Sequence, residues 1–401
     1  MTTYGLSKPR LERLHEVLSA HVERRDLPGL VALVSRNDDV RVETIGTMSF
    51  GGLAPMRRDT IFRIASMTKV IAAVAAMILL EECKLRLDDP IDRWLPELAN
   101  RRVLKSLSSQ LDDTVPAHRA ITVRDVMTYR MGFGSVMAMP DTYPIQKSIR
   151  EYAIGGDGMS SGVRPGPDEW LRRLGSLPWI AQPGERWMYH VSGDVLGVLI
   201  ARVSGQSLGA FMRDRIFDPL AMKDTAFCVP PEKIERLPDV YFVNPETRAL
   251  DAFETAATSG FRSQPSFESA GGGLVSTLDD YLAFSRMMLN KGRFGRNRIL
   301  SPASVELMTS DQVTPAQRAG CEIFFGTCSS WGFGMSVDIG RGEIYHSPGR
   351  FGWNGGFGTT AYADPKNGMI GILLTQRMMD SPEPPRIYTN FWTLAYGAIE
   401  A

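Results

Sequence analysis

The sequence predicts an α+β fold: one sheet flanked by the terminal helices, with a largely helical region inserted in the chain. Three observations predict it. The chain opens with an amphipathic helix and two strands, it closes with short strands and a helix, and residues from about 100 to 300 follow mostly helical patterns. At 401 residues and 43% hydrophobic there is ample chain to bury a core.

Residues 8–25 carry Leu11, Leu14, Leu18 and Val22 at three- and four-residue steps, the signature of an amphipathic helix. Pro28-Gly29 breaks it. Leu30 to Val34 is an apolar run that reads as a buried strand. Asn37-Asp38-Asp39 is a turn, and Val40, Val42 and Thr44 alternate in a second strand. Residues 66–84 are apolar nearly all round, with Ala72, Ala73, Ala75 and Ala76 as strong helix formers; such a helix is buried. Asp88-Asp89-Pro90 opens the next short element. Residues 131–168 are loop-like, rich in glycine and proline, and a loop that long marks a lid or a binding wall. Asp194–Val203 and Leu208–Phe217 read as helices split by Ser204-Gly205. Trp331–Ile339, Glu343–Tyr345, Gly358–Ala363 and Met369–Thr375 read as short strands, and Ile387–Ile399 returns to a helix.

Charge and composition exclude several function classes. Lysine plus arginine equals aspartate plus glutamate, 45 of each, which argues against a nucleic-acid binder and against a polybasic membrane contact. The longest apolar run, Val70 to Leu80, is too short to span a bilayer, and the N-terminus lacks a signal-peptide pattern, so a cytoplasmic location is expected. The four cysteines form no C-x-x-C pair and the five histidines show no H-x-H or H-E-x-x-H spacing; no metal or other cofactor is expected.

The chemistry points to Ser66-Met67-Thr68-Lys69, the one S-x-x-K in the chain. On a helix, positions i and i+3 share a face, so Ser66 Oγ and Lys69 Nζ can meet. Ser66 opens the helix, where unpaired N–H groups and the positive dipole end lie. Val70, Ile71, Ala72 and Ala73 follow Lys69, and burial there lowers an ammonium pKa until a neutral amine takes the serine proton. The plain alternative is a polar cap on a helix, but a lysine facing an all-apolar helix costs stability unless it has a role. A third group must pass the proton to the leaving atom. Tyr189, after the Pro183-Gly184 turn and before a helix, stands at an element end where such a group projects. Near the C-terminus, Trp353-Asn354-Gly355-Gly356 lets strand backbone approach a ligand closely, and an N–H here can serve as a second oxyanion donor beside that of Ser66.

Taken in order, these motifs resemble the serine β-lactamase and penicillin-binding superfamily, and most nearly its family-VIII carboxylesterases, which resemble class C β-lactamases. Ile121–Thr128, Asp218–Thr225 and Gly272–Thr277 resemble it too, so the likeness runs from about residue 10 to 395. It implies a β-lactamase/transpeptidase-like fold with an antiparallel sheet. Residues 1–65 and 300–401 would form the sheet domain and 66–299 a mainly helical one, with the active site between them. It implies Ser66 as the acylated nucleophile, Lys69 and Tyr189 as the base system, and the N–H groups of Ser66 and Gly356 as the oxyanion hole. Trp353, Asn354, Gly355, Val191 and Arg350 would contact substrate.

Two departures shift the expected substrate. Class C lactamases resemble Tyr-x-Asn at the second motif, and here Val191 holds the asparagine position. Their third motif is Lys-Thr-Gly, and here it is Trp353-Asn354-Gly355, so a cation for a substrate carboxylate has become an indole. An aromatic wall suits neutral, apolar groups. Arg350, close by in sequence, is a candidate to restore a carboxylate contact. A carboxylesterase on neutral short-chain esters is therefore expected. The rivals are a β-lactamase, a D-amino peptidase or linear-amide hydrolase, an acyltransferase, and an inactive binding module; retention of Ser66, Lys69 and Tyr189 together argues against the last. The partner is a small-molecule ester or amide. Gly205-Gln206-Ser207-Leu208-Gly209 also fits G-x-S-x-G, but a helix precedes Ser207 where that pattern needs a strand, so it reads as a helix cap.

Overall fold

The computed structural model describes residues 5–37, 39–138, 141–155 and 164–400. Helix α1 (Lys8–Glu23) leads into strands β1 (Gly29–Arg36) and β2 (Asp39–Gly46). Three helices then frame the middle of the chain: α2 (Thr68–Glu81), α3 (Val191–Ser204) and α4 (Leu278–Leu289). The C-terminal part adds β3 (Ser329–Trp331), β4 (Ser336–Asp338), β5 (Phe351–Gly355), β6 (Thr359–Asp364), β7 (Met369–Thr375) and α5 (Arg386–Gly397). The strands form one seven-stranded antiparallel sheet in the order β3-β4-β5-β6-β7-β1-β2. The two ends of the chain meet at the β7–β1 pair, where Ala32 faces Leu373.

Strand alternation explains how this sheet buries both faces. Leu30, Ala32 and Val34 of β1 join Met369 and Leu373 of β7 on one side, against Leu11, Leu14 and Leu18 of α1 and Tyr388, Phe391 and Trp392 of α5. Val31, Leu33, Ile370, Ile372 and Leu374 point the other way, into the core shared with α2, α3 and α4. Both β1 and β7 are therefore apolar without alternation in sequence, as a strand covered on two faces must be. Helix α2 is apolar all round because α3 packs on it and its Thr68–Leu79 stretch is buried.

The structure corrects several sequence expectations. The helix expected over 66–84 begins as a tight 3-10 turn, Ala65–Met67, and only then runs as α2. Trp331–Ile339 is two strands broken by a turn at Gly334, which has φ 71°. Glu343–Tyr345 is bend and turn, not strand. The middle region also holds short two-stranded ribbons, among them Val240–Val243 with Leu250–Glu254 and Phe62–Arg63 with Val275–Ser276. The loop-like stretch 131–168 contains a helix, Pro144–Glu151, and the start of another, Pro167–Ser176; its residues 139–140 and 156–163 lie outside the described residues. Among the described residues no single helix is long and apolar enough to cross a membrane.

Candidate active site

The Ser66 turn is pinned on several sides. The Phe62–Arg63 ribbon delivers it, Ile64 N–H donates to Leu274 O (3.1 Å), and Thr68 Oγ1 accepts from Leu274 N–H (3.2 Å). Thr359 Oγ1 of β6 donates to Ile64 O at 3.3 Å. Ala65 is held at φ 44°, a left-handed conformation that a residue with a Cβ rarely adopts. Strand β5 comes against this turn through Gly355. A Cβ there would run into Ile64 O and Thr359 Oγ1, so only glycine permits the approach.

Lys69 lies one helical step on, 1% exposed. Its Nζ donates to Ser66 Oγ at 2.8 Å and to the Gly271 carbonyl, and it sits 4.7 Å from the centre of the Tyr189 ring. The predicted i, i+3 meeting is thus present, on backbone that changes from 3-10 to α at Thr68. Tyr189 is packed among Trp187, Phe324 and Trp353, with ring centres at 5.6, 4.8 and 5.8 Å. Its hydroxyl accepts the indole N–H of Trp353 at 2.9 Å. The tyrosine is aimed by a strained turn: Val191 N–H donates to Tyr189 O (3.2 Å) around His190, at φ 80° and ψ −67°. That is a γ-turn of the rare, strained hand.

The five residues assigned to substrate contact fare differently. Gly355 and half-buried Asn354 end β5 beside the Ser66 turn. Gly356 follows, with its carbonyl accepting from Met379 N–H at 2.9 Å. Trp353 is 4% exposed, so it is a hydrogen-bond donor to Tyr189 and not an open aromatic wall. Val191 packs in the main core as the first residue of α3 and brings no polar group. Arg350 is the clear correction. It is buried on the opposite face of the sheet, paired with Asp338 (3.2 Å) and set over the rings of Tyr362 (3.8 Å) and Trp392 (4.3 Å). Residues an odd number apart on an extended chain point to opposite faces, and Arg350 and Trp353 are three apart. Ser207 caps a short helix, accepting Ala210 N–H at 3.2 Å.

Sequence reasoning missed the group behind Lys69. Asp194 on α3 is fully buried; its Oδ1 accepts Ser269 Oγ–H (2.6 Å) and Gly271 N–H (2.9 Å), and its Oδ2 accepts Arg164 Nη1 (2.8 Å). His190 Nε2 lies 3.6 Å from Oδ2. Burial pushes this carboxyl up, yet Arg164, His190, Ser269 and the Gly271 amide together hold it below the ordinary aspartate range. A signal did exist: Asp194 is the one acid of its helix and is followed by the apolar Val195, Leu196, Val198, Leu199 and Ile200. The γ-turn at His190 and the reach of Arg164 leave no local pattern.

Comparisons with known proteins give the family and the fold. The Beta-lactamase family profile matches residues 14–390. An uncharacterized protein of Mycobacterium tuberculosis (strain CDC 1551 / Oshkosh) is 36% identical over 366 residues, covering 88% of this chain and 87% of that one. Esterase EstB of Burkholderia gladioli is 29% identical over 416 residues, covering 96% and 95%. Among solved structures, EstCE1, a hydrolase with promiscuous acyltransferase activity, superposes with a TM-score of 0.79 at 24% identity, covering 97% of this chain and 98% of its own.

Proposed function

Because the chain belongs to the Beta-lactamase family and is a serine hydrolase of that fold, we propose that it cleaves neutral short-chain carboxylic esters through an acyl-Ser66 intermediate. The observation that carries the choice of substrate is the donor facing Tyr189. It is the uncharged Trp353 indole N–H, where a lactamase would place a lysine, and Arg350 is locked on the far face of the sheet. A substrate carboxylate is therefore offered neither cation. The likeness to an esterase at 29% identity supports the same reading.

In this reading Ser66 Oγ attacks the ester carbonyl while its proton passes to the Lys69–Tyr189 pair. The developing oxyanion rests on the N–H groups of Ser66 and Gly356. Collapse of the tetrahedral adduct breaks the C–O bond, and the leaving alkoxide takes the proton back by way of Tyr189. Water then attacks acyl-Ser66, giving up a proton to the same pair; collapse of this second adduct breaks the bond to Oγ, the proton returns to Ser66 Oγ, and the acid leaves. Trp353 serves by fixing the Tyr189 oxygen with a donor that does not titrate in this pH range.

The test compares turnover of a short-chain p-nitrophenyl ester and of a chromogenic cephalosporin. The wild type is expected to turn over the ester well ahead of the cephalosporin, and Ser66→Ala to lose ester turnover by about 10³-fold or more. Fast cephalosporin turnover with negligible ester activity overturns the substrate assignment. Ester turnover that survives in Ser66→Ala but disappears in Ser207→Ala overturns the nucleophile.

A further inference from the structure

Gly271 is gripped from two directions. Its N–H goes to Asp194 Oδ1 and its C=O to Lys69 Nζ. A Cβ at this position would stand 2.9 Å from Asp194 Oδ1 and 3.2 Å from His190 Cε1, so the fit requires glycine. Behind Asp194, Ser269 Oγ and Arg164 hold the carboxylate in place. Arg164 is itself fastened: its carbonyl accepts Ser266 Oγ–H (2.6 Å), and its guanidinium lies 5.4 Å from the centre of the Phe267 ring. Asp194 thus ties together three segments, α3, the residues before the Pro167–Ser176 helix, and the 266–271 loop. It does so one residue away from the amine beside the candidate nucleophile.

From this geometry we infer that Asp194 is a positioning residue for the reaction: through Gly271 it fixes Lys69 Nζ on Ser66 Oγ, and its own charge sets the pH at which Ser66 becomes nucleophilic. The inference rests on Ser66 and Lys69 acting as described above. Lysine carries a long, rotatable stem, and a second anchor limits the amine to orientations that reach the serine. A carboxylate hydrogen-bonded to the same glycine that Lys69 binds stabilises positive charge on Lys69 and opposes negative charge on Tyr189. The other groups facing it are Arg164, His190 and Tyr129, whose hydroxyl is pushed up by burial first, then by Tyr189 and by Asp194. Whichever of Lys69 and Tyr189 loses its proton first, removal of the Asp194 charge favours that loss.

The experiment follows the rate at which an alkyl fluorophosphonate labels Ser66 as a function of pH, in wild type, Asp194→Asn and Ser269→Ala. Circular dichroism and Tm report folding. This probe needs an activated serine but no particular substrate. Expected are labelling at least tenfold slower in Asp194→Asn at its optimum, and a rising limb moved to lower pH. Ser269→Ala, which loses the 2.6 Å hydrogen bond and keeps the charge, is expected to label several-fold slower with the limb in place. If Asp194→Asn does not fold, Ser269→Ala alone decides: wild-type labelling in it overturns the inference. In folded Asp194→Asn, a limb that does not move overturns it too, because a merely structural carboxylate lowers Tm without moving that midpoint. If wild type takes no label, the reading of Ser66 as nucleophile fails and the inference falls with it; if wild type labels and the variants match it, the inference fails alone.

Discussion

At the residue scale, the Tyr189 hydroxyl and the Arg350 guanidinium show what one hydrogen bond decides. Trp353→Phe removes the N–H that fixes Tyr189 Oη and keeps most of the ring packing against Trp331. A hydrogen bond to a group that carries charge during the reaction is worth about 1.5–3 kcal/mol, so kcat/KM should fall roughly tenfold to a hundredfold. Steady-state kinetics on a p-nitrophenyl ester check this, with Tm as the folding control. Arg350→Met should do the reverse. It strands Asp338 in a buried site and is expected to cost about 3–5 kcal/mol of stability, read by urea unfolding, while kcat/KM of the folded enzyme stays within about twofold. The meeting of Ser66 with Lys69 was legible because helix spacing is a local fact, whereas Tyr189 was joined to them only by the order of motifs and the resemblance it carries. Arg350 was misread because closeness in sequence says nothing of which face of a strand a side chain takes. Asp194 was overlooked even though the argument applied to Lys69, a charge in an apolar helix, applies to it unchanged.

At the element scale, two glycines set how β5 and β7 meet their neighbours. Gly355→Ala pushes a methyl into Ile64 O and Thr359 Oγ1, moving β5 from the Ser66 turn. A displacement of that order misaligns the reacting groups, and kcat/KM should drop by about 10²-fold with only a modest loss of Tm. Gly371→Ala meets the Trp392 ring, with Cη2 at 2.6 Å, on the other side of the sheet. Overpacking there should cost about 1–3 kcal/mol and leave the kinetics of the folded enzyme unchanged. The pair of variants separates the site face from the helix-covered face. Strand existence was legible at β1 and β7 from their apolar runs, at β2 from its alternation, and at β6 from its position between two turns. Glu343–Tyr345 was misjudged because a run of three residues carries too little pattern to tell a strand from a turn. The division of Trp331–Ile339 into two strands depended on a φ of 71° at Gly334, which only a glycine in the run hinted at.

At the scale of the whole molecule, the two ends of the chain are held together by α1 against α5 as well as by β1 against β7. His21 of α1 is part of that clamp, with Asn390 Nδ2 of α5 3.1 Å from its Nε2. Burial pulls His21 below its ordinary 6.5 more strongly than Asp26 raises it. The unfolded chain therefore takes up this proton first as pH falls, so stability is held above about 6.5 and declines below it toward the folded value. Asp26 is shifted down from 3.8, since hydrogen bonds from His21 and Arg24 together outweigh its burial, and its contribution fades only in more acid solution. Urea unfolding at pH 7 and pH 5 should show lower stability at pH 5, and His21→Gln should flatten that difference. The union of the chain ends in one sheet was legible from the order of patterns along the sequence. The short ribbons between them were not, since pairs such as Phe62–Arg63 with Val275–Ser276 are set by long-range packing. That ribbon delivers the Ser66 turn, and the account as a whole stands on what Ser66 does. The most direct measurement is mass spectrometry of enzyme quenched during turnover of a p-nitrophenyl ester. It should show a covalent adduct of one acyl group on the peptide containing Ser66, absent in Ser66→Ala. An adduct on another residue, or ester turnover undiminished in Ser66→Ala, would contradict it.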